Sequence, residues 1–79
     1  MPKTLGESRV RIQFNPANID HVFLIKTKGA ELIDLIHNTV LDPSWDEFTV
    51  NEWRRLKALS LTEIESGTSW AVKAATIKA

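Results

Sequence analysis

Val22, Ile25, Gly29, Leu32 and Ile36 recur at spacings of three and four. That period describes a helix with an apolar seam for a partner helix, and it is incompatible with a strand over the same segment. Asn18 can cap the start, Asp20 places an acid in the first turn, and Asp42-Pro43 cannot continue the helix. The reading is a helix over residues 18–39. A second helix opens at Thr49-Val50-Asn51-Glu52, a capping box with Thr49 as the cap, and runs over residues 49–77. The loop at 40–48 is short, so the two helices return antiparallel. The expected fold is all-α: a single domain over residues 1–79, an antiparallel two-helix hairpin with an extended N-terminal arm over residues 1–17.

The arm has another period. Arg9, Val10, Arg11, Ile12, Gln13 and Phe14 alternate polar and apolar until Asn15-Pro16 stops the pattern, which reads as an extended segment with one apolar face. Pro2 to Ser8 reads as loose chain. No other segment looks like a strand, so Val10, Ile12 and Phe14 are expected to pack on a helix surface.

Both helices carry more apolar surface than one hairpin can bury. On a wheel of about 100° per residue, Val22, Ile25, Gly29, Leu32, Ile33 and Ile36 share one side. Ile19, Phe23 and Ala30 widen that arc on one flank, and Leu24 and Leu35 on the other. The second helix has a stripe through Trp53, Leu56, Ser60, Ile64, Gly67, Ala71, Ala74 and Ala75, and a separate one through Leu59, Trp70 and Ile77. A hairpin has one internal seam, so a homo-oligomer is expected. Other staples are missing: there is no cysteine, and His21 and His37 have no acidic pair at metal-ligand spacing.

Ten Lys plus Arg balance ten Asp plus Glu. Zero net charge argues against DNA or RNA polymers as partners. No apolar run reaches membrane-spanning length and no leader pattern opens the chain, which together with the lack of cysteine predicts a cytoplasmic protein with no membrane partner. For catalysis there is no cysteine nucleophile, no Gly-rich phosphate loop, no H-E-x-x-H and no spacing that local geometry could turn into a triad. The expectation is a binding module without a cofactor, and not an enzyme.

Some polar residues interrupt the apolar pattern. Lys26 falls inside the apolar arc of the first helix. Either its stem covers apolar surface while the ammonium reaches solvent, or it is a cation held at a subunit junction for an anionic ligand. Glu63 lies between Leu56 and Trp70, where pairing with a lysine is the simpler account, and His37 reads as a solvated histidine near a helix C-terminus. Arg55, Thr62, Ser66, Ser69 and Lys73 form one row without a carboxylate, which suits phosphate oxygens and equally a solvated helix face.

From about Arg9 to Thr76 the chain resembles the small phage proteins that sequester cyclic nucleotide messengers of bacterial immunity, the anti-CBASS and Thoeris anti-defence sponges. The resemblance is carried by Phe14-Asn15-Pro16, Ile25-Lys26-Thr27-Lys28-Gly29, Arg55-Leu56, Thr62-Glu63-Ile64 and Trp70-Ala71-Val72, in that order. Gly67-Thr68-Ser69 departs from the more apolar residues expected before the tryptophan. The resemblance implies a sponge that binds cyclic dinucleotides, cyclic trinucleotides or cyclic ADP-ribose isomers between subunits without cleaving them, in dimers built into hexamers. It implies that Lys26 pairs with a phosphate, that Phe14 or Asn15 covers or hydrogen-bonds a base, and that Arg55, with Thr62 in its row, serves phosphates at a junction. The competing expectation is a structural or protein-interaction hairpin with no nucleotide ligand.

Overall fold

In a computed structural model the described residues are 3–12 and 20–77. They form three helices and no strand: α1 (Leu5–Val10), α2 (Asp20–His37) and α3 (Glu47–Ala75). Asn15, Phe14, Pro16 and Asn18 lie outside the described residues.

Over residues 3–12, where an extended arm is expected, the chain builds a short helix. Thr4-Leu5-Gly6-Glu7 is itself a capping box, with the Thr4 hydroxyl accepting from the Glu7 amide at 3.1 Å and the Glu7 carboxylate accepting from the Thr4 amide at 3.0 Å. The helix it starts buries Gly6 and Val10 and points Leu5 toward the same core, so the supposed strand face of Val10 belongs to a helix turn. Arg11 ends α1 in the left-handed conformation, φ 56° and ψ 57°, with its amide donating to the carbonyls of Glu7 and Ser8. For a residue with a Cβ that conformation costs about 1–2 kcal/mol.

Packing in α1 and α2 depends on a glycine. A Cβ on Gly6 would lie 2.0 Å from the Ala30 carbonyl oxygen, so α1 sits backbone to backbone on α2. The Gly6 amide donates to Asp34 Oδ1 at 2.6 Å, and Arg9 reaches Glu65 on α3 at 3.4 Å. Val10, Ala30, Ile33 and Leu61 form the core, edged by Leu5, Ile12, Ile36 and Ile64.

α2 and α3 run antiparallel and meet closely at Gly29, where a Cβ would stand 2.5 Å from Thr68 Oγ1. Thr68 keeps its hydroxyl satisfied by donating back to the Ile64 carbonyl at 2.7 Å. At the turn, Lys57 Nζ donates to the carbonyls of His37 and Thr39 at 2.9 and 3.2 Å, closing the end of α2. α3 begins earlier than Thr49: Asp46 is the cap, accepting from the Thr49 amide at 2.8 Å. Its inner stripe also differs from the expected one, because Leu61 and Thr68 are buried while Leu56 and Gly67 are exposed.

The molecule measures 50 × 27 × 12 Å, one helix thick in its short dimension. Its accessible surface of 5978 Å² compares with about 4,800 Å² for a compact monomer of this mass. Large apolar side chains share that surface: Phe23, Leu24, Leu32 and Leu35 on α2, and Leu56, Leu59 and Trp70 on α3, are all exposed.

Candidate functional site

Where α1 ends, a cleft of 150 Å³ opens between Val10, Arg11, Lys26, Thr68, Ser69, Val72 and Lys73. All three helices or their ends contribute to it. Arg11, Lys26 and Lys73 bring three basic residues and Thr68 and Ser69 two hydroxyl groups, and among the described residues no carboxylate lines the walls. Such a wall favours anions with several acceptor oxygens.

Lys26 is the central group. It is 3% exposed, so its ammonium does not reach solvent as a snorkelling lysine would. Instead Nζ donates to the Arg11 carbonyl at 3.0 Å, tying α2 to the turn that ends α1. Burial lowers its pKa below the ordinary lysine value, and the nearby Arg11 charge lowers it further. Lys73 lies over the Trp70 ring, 4.6 Å from its centroid, which holds its charge at the cleft rim.

Two other sequence candidates stand apart from this cleft within one chain. Arg55 is exposed and donates to the Glu52 carboxylate through Nε at 3.1 Å, roughly 20 Å down α3 from Thr68. Thr62 is exposed on α3 and does not line the cleft. Of the hydroxyl and cation row, Ser69 and Lys73 reach the site. Glu63 is exposed, and among the described residues it forms no ion pair, while His37 is exposed and contributes only its carbonyl to Lys57.

Arg11 and Thr68 line the cleft without being among the residues that the sequence singles out. The sequence pattern places Arg11 on the polar side of an extended arm, and Thr68 in a stretch that departs from the expected apolar residues. The missed signal was the Thr4-to-Glu7 capping box, which turns the segment after it into a helix and brings Arg11 over Lys26.

No curated protein and no solved structure matches the chain. A family description does: the Acb2/Tad1 hairpin domain matches residues 6–76, from the Gly6 contact on α2 to the residue that ends α3. The matched span holds all three helices almost entire and every residue of the cationic cleft. The chain therefore belongs to the Acb2/Tad1 hairpin family, whose members are anti-CBASS and anti-Thoeris sponges that sequester messengers rather than turn them over.

Proposed function

We propose that this protein is a phage-encoded sponge that binds cyclic dinucleotides, cyclic trinucleotides or cyclic ADP-ribose isomers in the host cytoplasm, and holds them uncleaved. The observation that carries the reading is the cleft around Lys26, with three basic residues, two hydroxyls and no carboxylate among its described lining residues, in a chain of this family. In this reading Lys26 pairs with a ligand phosphate and Phe14 or Asn15 covers or hydrogen-bonds a base. Arg55 and Thr62 serve ligand phosphates at a junction between subunits. The surface excess and the apolar faces of α2 and α3 support assembly through dimers into a hexamer.

The direct test is recovery. Protein is mixed with each messenger, cleared of free ligand and denatured, and the released nucleotide is identified by mass spectrometry. Intact messenger is expected; a hydrolysed product would replace the sponge by an enzyme. A panel in which no cyclic nucleotide raises the thermal midpoint would favour the structural hairpin instead.

Binding is expected to depend on pH through Lys26. Its folded pKa lies below the unfolded value of 10.5. Between those two values the unfolded chain holds more protons than the folded one, so ligand-free stability rises with pH across that window and levels off above it. A bound phosphate favours the ammonium. Affinity therefore falls as pH rises through the lowered pKa, earlier than an exposed lysine would titrate. Calorimetry in buffers of different ionisation enthalpy should detect proton uptake on binding in that window; its absence would remove Lys26 from the site.

A further inference from the structure

One face of α3 is left over once the hairpin has formed. At about 100° per residue, Leu56, Leu59, Glu63, Gly67, Trp70 and Ala74 fall within about 80° of one another, and all six are exposed. The face has a hole at one end and a knob at the other. The hole is a cavity of 310 Å³ at the hairpin turn, walled by Trp45, Phe48, Thr49, Glu52, Trp53 and Leu56. The knob is Trp70, 68% exposed, with Lys73 lying over its ring. Between them Gly67 is bare: a Cβ there would meet nothing within 4 Å. Neither the packing of the single chain nor its backbone calls for glycine at that point, since its φ is not positive. Inside a helix, glycine is less stable than alanine.

We infer that the occupant of this face is a second copy of the chain, with α3 packed antiparallel on α3 about a two-fold axis at Glu63. An axis there sets position 56 against 70, and position 59 against 67. Trp70 of each copy then enters the cavity of the other beside Leu56, and Leu59 fills the space that Gly67 leaves. Lys73 arrives with Trp70 next to Glu52, the carboxylate on the cavity wall. Knob and hole lie on one patch of one chain, as an isologous interface requires. The area is of the right order. The accessible surface of 5978 Å² exceeds that of a compact monomer of this mass by about 1,200 Å², and a standard interface covers about 800 Å² per partner. Glu63 works against the contact, because the axis sets it against its own copy and like charges repel. The inference rests on the assembly part of the proposed function and on none of its ligand chemistry.

The full chain is tested by sedimentation equilibrium, with circular dichroism as the control for folding. Gly67→Leu puts a side chain where the single chain has open space, so helicity should hold or rise. Each dimer meets the resulting clash twice, and its dissociation constant should rise at least about 100-fold. Trp70→Ala should weaken the dimer at least about 10-fold, and Glu63→Gln should tighten it at least about 2-fold. The chain has no cysteine, so Glu63→Cys supplies one thiol per copy. On the axis that thiol should oxidise to a covalent dimer at least about 10-fold faster than the thiol of Glu31→Cys on α2. If Gly67→Leu does not fold, Trp70→Ala and the cross-linking rates decide. A wild type that is monomeric at every concentration overturns both this interface and the assembly reading. An assembled wild type whose mass is unchanged by these substitutions overturns the interface alone. An interface that responds as expected, in a protein whose midpoint no cyclic nucleotide shifts, overturns the sponge reading and leaves the interface standing.

Discussion

Gly6→Ala is expected to undock α1 and to abolish ligand retention with it. The added Cβ would fall 2.0 Å from the Ala30 oxygen and 2.7 Å from its carbonyl carbon, and both are backbone atoms that no rotamer change can move. Overpacking of this kind costs about 1–3 kcal/mol or more. Forcing the helices apart also breaks the hydrogen bond from the Gly6 amide to Asp34, worth about 1.5–3 kcal/mol for a charged acceptor. A six-residue helix does not hold its shape once its packing is gone. Hydrogen exchange should show the α1 amides losing protection while those of α2 and α3 keep theirs. Messenger affinity should fall at least tenfold, since Arg11 and the Lys26 contact leave the cleft together. Protected α1 amides in this variant would show that the Gly6 contact does not hold the helix in place.

Lys26→Met is expected to separate stability from binding. Methionine fills nearly the same volume, and the substitution removes a charge from a position that is 3% exposed. Its ammonium is disfavoured there by burial first and by Arg11 second. The ligand-free thermal midpoint should therefore hold or rise. Affinity for a cyclic dinucleotide should fall about 100-fold, because losing a buried charge partner costs roughly 2–5 kcal/mol at an interface. Titration calorimetry and thermal unfolding on one sample set check both halves. Where Gly6→Ala loses fold and ligand together, Lys26→Met should lose only the ligand. Unchanged affinity would leave Lys26 as a cap for α1 and nothing more.

The long helices were legible because their period is sustained: α2 runs for 18 residues and α3 for 29, enough turns for three-and-four spacing to declare itself. α1 has six residues, and over so short a run the alternation of Arg9, Val10, Arg11 and Ile12 fits a strand as well as a helix end. Gly6 inside it counts against a helix on propensity, and its reason is tertiary: the Ala30 carbonyl on α2. Lys26 stood out in the sequence as a cation in an apolar arc, yet what it touches could not be read there, since its partner is the carbonyl of a turn formed by α1. Thr68 belongs to the seam because Gly29 opposite leaves room for it, a match between two helices that neither pattern shows alone. Asp46 took the capping role read for Thr49 because its carboxylate is placed one turn earlier, against the Thr49 amide.

The cleft draws few of its walls from the interior. Val10, Lys26 and Thr68 are buried, but Arg11, Ser69 and Lys73 occupy exposed positions, at the end of α1 and on the outer side of α3. The cleft shares Val10 with the core, while Ala30, Ile33 and Leu61 do not line it. Substitutions at these surface positions can therefore change the charge and hydrogen bonding of the cleft without reworking the interior that keeps the helices together. Helix packing and cleft chemistry are thus set by largely different residues.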